Sequence, residues 1–143
     1  MPPKVAESTA EKKVKGRKRH VVTDVDGNLL AVKVHAANIH DTKSGGAIFA
    51  ETLLKYPDIK GVCADAGYRK TFEEEVGTLG ATVDISAKIK PKEWNVLPKR
   101  WVVERTFAWL NWSRRLSKDY EISTISAENM VIISHVHTLL KRF

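Results

Sequence analysis

Two acidic residues have surroundings that suit hard-cation chemistry. Asp65 closes the short apolar run Ile59-Lys60-Gly61-Val62-Cys63-Ala64 and is followed by Ala66-Gly67-Tyr68. A strand that ends in a sharp turn would carry this carboxylate at its tip. Glu104 lies in Lys99-Arg100-Trp101-Val102-Val103-Glu104-Arg105-Thr106-Phe107-Ala108-Trp109-Leu110, directly after Pro98. Proline can open a helix but not sit inside one. The spacing predicts a helix with Val103, Thr106, Phe107 and Leu110 on one stripe, broadened by Val102 and Trp109. Arg100, Glu104, Ala108, Asn111 and Arg115 fall on the opposite line. Carboxylate oxygens are ligands for Mg²⁺ or Mn²⁺, which keep their waters for phosphate substrates. Two such ions about 3.5–4 Å apart can activate an attacking oxygen and stabilise a leaving one. That site needs several carboxylates, of which Asp65 and Glu104 supply two. The plainer alternatives are that Asp65 caps its turn and that Glu104 pairs with Arg100, in the less favourable order for the helix dipole.

The elements that must position these groups can be read along the chain. Arg19 to Thr23 and Leu29 to Ala36 are β-rich segments around Val25-Asp26-Gly27-Asn28, a hairpin signal. Asp24 and Asp26 are assigned to that turn and not to catalysis. Asp41 or Thr42 is expected to cap a helix running to Lys55, with Ala47, Ala50, Leu53 and Leu54 inward. Gly45-Gly46 should weaken it. Ile59 to Ala64 is expected as a central buried strand, parallel to the strand before it. Thr71 to Leu79 is expected as a helix with Phe72, Val76 and Leu79 inward. Ala81 to Ser86 is expected as a strand, and Lys88 to Pro98 as a basic loop. A last helix from about Ser126 should bury Met130, Ile133, Val136, Leu140 and Phe143. The order β-β-α-β-α-β-α-α gives an α/β fold, a mixed sheet flanked by helices. Ligands of such sheets gather at the carboxyl ends of the parallel strands, where Asp65 falls.

The chain has 143 residues, enough for one domain with a core. A single cysteine, Cys63, excludes an internal disulfide framework. No apolar run is long enough to span a bilayer, and the N-terminus lacks the apolar region of a signal peptide. The net charge of +7 sits at the two ends. Residues 1–20 carry 7 basic and 2 acidic groups, residues 99–143 carry 8 and 4, and the middle is slightly acidic. Such a distribution points to a polyanion, most simply nucleic acid, or to a solvated basic surface. Residues 1–14 read as a flexible basic tail, and 15–143 as the domain.

Three blocks then strongly resemble one family. They are Lys15-Gly16-Arg17-Lys18-Arg19-His20, Asp65-Ala66-Gly67-Tyr68, and Arg100 to Leu110 together with Arg114-Arg115-Leu116-Ser117-Lys118-Asp119-Tyr120-Glu121. They are similar to bacterial insertion-sequence transposases, acidic-triad (DDE) enzymes with an RNase H-like catalytic domain. The resemblance implies Asp65 and Glu104 as catalytic metal ligands, and Mg²⁺ or Mn²⁺ in a two-metal site. The activity it implies is metal-dependent DNA cleavage and strand transfer in transposition. Lys15, Arg17, Lys18, Arg19, Arg100, Arg105, Arg114, Arg115 and Lys118 would contact DNA phosphates at transposon ends. Further partners would be a second copy or an upstream transposase fragment, in the cytoplasm at the nucleoid and away from membranes.

The sequence also departs from the family. The signature around the glutamate asks for Tyr seven residues before it and Lys seven after, where this chain has Leu97 and Asn111. The family's first catalytic aspartate lies upstream of the Lys-Gly-Arg-Lys-Arg-His block, and no aspartate precedes Lys15. The expectation is therefore a C-terminal portion lacking the first strand, with an incomplete metal site. Its alternative function is a non-catalytic DNA- or partner-binding remnant; a general nuclease is a poorer third. Asp41 could stand in as a ligand, although a helix cap is its simpler role. His35, His40, His135 and His137 are assigned to loop, cap and packing roles. Cys63 is assigned to the core, and Trp94 and Trp112 are candidates for stacking on bases while Trp109 packs.

Overall fold

The computed structural model describes residues 16–64, 68, 70–85 and 100–143, and of Arg100 only the backbone. The elements are β1 (Arg17–Thr23), β2 (Leu29–Ala36), α1 (Asp41–Lys55), β3 (Gly61–Ala64), α2 (Thr71–Thr78), β4 (Thr82–Ile85), α3 (Arg100–Asn111), a 3₁₀ turn (Arg114–Leu116) and α4 (Thr124–Leu140). This is the expected mixed α/β order. The expected tail, residues 1–14, and the loop Lys88 to Pro98 lie outside the described residues.

β1 and β2 form the antiparallel hairpin that Asp26-Gly27 announces. Asp24 organises its turn: the carboxylate accepts from the amides of Asp26 and Asn28 and from the Asn28 side chain, at 2.8–2.9 Å. Burial would raise the Asp24 pKa, but these hydrogen bonds to the charged form outweigh it and hold it below the usual value. β1 starts two residues earlier than periodicity suggests, at Arg17, because the basic run finds partners on both faces of the strand. The Lys18 ammonium bonds the Asp41 carboxylate at 2.8 Å on the α1 side. Arg17 and Arg19 reach carbonyl groups of the segment before α4.

α1 differs from expectation at its start and on its inward face. His40 caps it, its Nδ1 accepting from the Thr42 amide. Asp41, the expected cap, is held by Lys18 instead. The buried line is Gly45, Gly46, Ile48, Phe49 and Thr52, while Ala47 and Leu54 are exposed. The two glycines do more than weaken the helix. A Cβ on Gly45 would lie 2.6 Å from the Tyr68 ring, so the absent side chain lets Tyr68 and Phe72 close on α1. Phe49, Phe72, Val76 and Ala81 form a core there, with Leu53, Val62 and Val83 against it.

β3 pairs in parallel with β4, and among the described residues the strands form two two-stranded sheets. β3 alternates exposed and half-buried residues, which corrects the expectation of a buried central strand. Cys63 is exposed, with its thiol 4.0 Å from the Asp84 carboxylate, and so is not a core residue. Leu79 also faces out, because α2 ends at Thr78 and the chain turns at Gly80 with φ of 80°.

α4 is capped by Ser123, which accepts from the Ser126 amide at 3.0 Å. Its inward line is Ala127, Val131, Ser134 and His135, packed on β2, Leu110 and Leu116. Of the expected line only Met130 packs against this core, while Ile133, Val136, Leu140 and Phe143 are all exposed. Two polar groups decide the rotation. Glu128 accepts from the Val34 amide at 2.9 Å, and His135 Nε2 accepts from the Leu29 amide at 3.0 Å. Seven residues apart, they lie on one side of the helix and cover backbone donors along β2 that would otherwise be an open edge.

Candidate functional site

α3 is the element that carries Glu104. Val102, Thr106 and Leu110 are buried, whereas Trp101, Glu104, Ala108 and Asn111 are exposed. The sequence pattern placed the glutamate on the outward line, and the structure agrees. What fixes the helix is the turn of the β-hairpin. Thr106 Oγ1, fully buried, donates to the Gly27 carbonyl at 3.1 Å or to Val102 at 3.0 Å. Arg105 donates to the Asp26 carbonyl at 2.7 Å. Gly27 has φ of 87°, and a Cβ there would meet Arg105, Thr106 and Trp109 at 3.1–3.2 Å. The position therefore needs glycine both for its backbone and for the approach of α3.

The Arg105 guanidinium is stacked between two indoles, 4.5 Å from the Trp101 ring centroid and 4.6 Å from that of Trp109. Arg142 covers the Trp109 ring at 3.9 Å. These contacts join α3 to the hairpin and the C-terminus. The Trp-Arg-Trp spacing of one turn each was a signal the sequence offered.

The basic residues separate into two sets. Arg17 donates to the carbonyls of Glu121, Ile122 and Ser123 at 2.5–3.3 Å, and lies 3.4 Å from the Asp119 carboxylate. Arg19 donates to the Leu116 carbonyl at 3.1 Å. Lys18 is paired with Asp41. Arg115 is paired with Glu121 at 2.7 Å. Arg114 and Lys118 are exposed. Arg17, Arg19, Phe107, Ser117, Lys118 and Asp119 line a groove of about 370 Å³ beside them.

Asp65 lies outside the described residues, as do Lys15, Trp94 and the side chain of Arg100. Among the described residues no group of three His, Cys, Asp or Glu side chains is placed to hold a metal ion. Glu104 supplies an exposed carboxylate of the hard-oxygen type that Mg²⁺ and Mn²⁺ take. Asp41, the possible substitute, is occupied otherwise. Burial would raise its pKa, but the Lys18 hydrogen bond and charge, with His20 and His40 nearby, keep it below the ordinary value.

A histidine pair is the feature sequence reasoning missed. His20 and His35 stack at 4.6 Å, both buried, and His20 Nδ1 meets the Tyr68 hydroxyl at 2.8 Å. Burial first and then the His35 charge lower the His20 pKa, with Lys18 adding to them and Asp41 opposing. Their positions on adjacent strands carry no sequence signal until the register is known.

The transposase DDE domain family matches residues 3–139. The chain belongs to that family. It is also 30% identical over 131 residues to a Burkholderia cepacia protein named as a transposase for insertion sequence element IS402. That alignment takes in 83% of this chain and 60% of the relative. The chain thus spans about 60% of the curated relative's length. Among the described residues, no helix of this DDE domain is long and apolar enough to cross a membrane.

Proposed function

We propose that this DDE domain serves DNA transposition, with Glu104 and Asp65 as ligands of Mg²⁺ or Mn²⁺ in phosphodiester cleavage and strand transfer. The observation that carries this reading is the setting of Glu104. It is the acidic residue of α3, exposed on a helix whose other side is locked to the hairpin turn. A bound divalent ion would act as a Lewis acid toward the phosphate and activate an attacking water or a 3′ hydroxyl of the DNA. The residues of the chain itself hold the helix that carries the carboxylate and would offer cations to the DNA backbone.

Of the proposed phosphate contacts, Arg114 and Lys118 are the foremost, since they are exposed beside α3. Arg115 can contribute while paired with Glu121. Arg105 lends charge from its stack, and Arg17, Lys18 and Arg19 chiefly hold the fold. Lys15 and Arg100 complete the set by resemblance. An RNase H-like sheet is the arrangement we propose for the two strand pairs. α1 packs on both, through its contacts with β1 and β2 and through Phe49 and Leu53 against Val62 and Val83.

The proposal rests on two carboxylates, Asp65 and Glu104. A Mn²⁺ titration followed by electron paramagnetic resonance tests it. Binding in the millimolar range should be lost in Glu104→Gln and in Asp65→Asn. Binding that persists in both variants, with DNA affinity independent of metal, would leave a non-catalytic DNA-binding remnant as the function.

A further inference from the structure

Two of the tryptophans on the Glu104 side of α3 keep a large part of their surface in solvent. Trp112, one residue past the helix, is 88% exposed, and Trp101 is 47% exposed. The amide of Trp112 bonds the Trp109 carbonyl at 3.3 Å, so the backbone still winds at that point. Trp101 and Trp112 are eleven positions apart, three turns and about 16 Å along the axis. Glu104, Ala108 and Asn111 lie between them on the same exposed side. Buried packing therefore does not account for Trp112, and accounts for only part of Trp101. One face of Trp101 is backed by Arg105, which fixes the ring and leaves its remaining surface to solvent.

From this geometry we infer that Trp101 and Trp112 are stacking platforms for unpaired nucleobases, at either end of a short single-stranded track that passes over Glu104. The inference rests on the DNA-binding reading above and narrows its substrate to DNA whose bases are splayed near the reacting phosphate. Charge selects nucleic acid over an apolar protein partner. The exposed cations Arg114 and Lys118 follow Trp112 within six residues, and Glu104 is the only acidic residue in the sequence of α3. Every base offers a π face, so two indoles give affinity without sequence preference, and a neighbouring guanidinium adds to it. Bases stacked inside a duplex cannot offer those faces, so the platforms act only on unpaired strands. The small side chain at Ala108 leaves room for the strand between them.

The test is equilibrium titration of the full chain, in EDTA, against a short labelled single strand and a blunt duplex of the same sequence. Trp101→Ala and Trp112→Ala should each weaken single-strand binding about 5-fold or more. Trp101→Phe should recover most of that affinity, and duplex affinity should change by less than about twofold. Thermal melts of Trp112→Ala should match the parent, since that ring is exposed, while Trp101→Ala loses the Arg105 stack and Trp101→Phe keeps it. Equal losses on both DNAs, or no loss on the single strand, would overturn the inference while leaving DNA binding intact. A parent chain that binds neither DNA would overturn the DNA-binding reading with it. Self-association abolished by Trp112→Ala, at unchanged single-strand affinity, would assign the indoles to a protein interface and also overturn it.

Discussion

The basic run at Arg17-Lys18-Arg19 and the basic group at Arg114 and Lys118 look alike as letters and behave differently in the fold. The first set is spent on the protein itself. Arg17 ties β1 to the carbonyls of residues 121–123, Lys18 meets Asp41, and Arg19 holds Leu116. The second set is exposed beside the helix that carries Glu104. Net charge counts both sets equally. What separates them is whether the chain brings an acceptor within reach. A carbonyl cluster left between the 3₁₀ turn and α4 does so for Arg17, and among the described residues Arg114 has no such cluster within reach.

The largest expected effect breaks the first half of this comparison. Arg17→Ala should cost about 2–3 kcal/mol in chemical denaturation, because several carbonyls lose a charged donor together. DNA affinity of the folded variant should change by no more than about twofold, far less than a lost phosphate contact network would give. A variant of unchanged stability with sharply weaker DNA binding would place Arg17 in the second set.

A smaller effect sharpens the role of the N-terminal half as the held part. Gly45→Ala should destabilise by about 1–2 kcal/mol, because overpacking against Tyr68 exceeds the helix-propensity gain. Gly46→Ala should be near neutral, since its new Cβ meets the flexible carboxylate end of Glu75. Denaturation midpoints of the two variants check this, and equal losses would mean that the α1–α2 approach is not what the glycines serve.

The smallest effect concerns pH. His20 and His135 have folded pKa values below 6.5, lowered first by burial, then by His35 for His20 and by Arg142 for His135. Lys18 adds to the lowering at His20; Asp41 opposes it there, and Asp24 opposes it at His135. The unfolded chain then binds more protons, so this stability is full above about pH 6.5 and declines as pH falls through the depressed values. Asp24 and Asp41, lowered below 3.8, add a second loss only in stronger acid. Melting temperature should fall between neutral and mildly acidic pH, and His135→Gln should reduce the slope.

The legible parts of the fold were those with local causes. The Asp-Gly turn, the extent of α1, the outward line of α3 and the stop at Gly80 each follow from a few adjacent residues. The illegible parts depended on distant partners. Ser134 and His135 displaced a more apolar stripe of α4 because β2 needed His135 and Glu128 as acceptors. His40 took the cap because Lys18 claimed Asp41. β3 was expected in the centre of a sheet from its small apolar residues, yet Cys63 and Gly61 are exposed. At the site, the orientation of Glu104 was legible from helical spacing, while the bond from Arg105 to the Asp26 carbonyl required the hairpin turn to arrive from 79 residues away.

The division between the two basic sets is tested most directly by the salt dependence of duplex binding, measured side by side in three chains. The parent gives the reference slope of log affinity against log salt. Arg114→Ala with Lys118→Ala should reduce that slope by about two contacts' worth, with an unchanged melting temperature, while Arg17→Ala leaves the slope as it was. A slope that drops in Arg17→Ala and holds in the double variant would contradict the account.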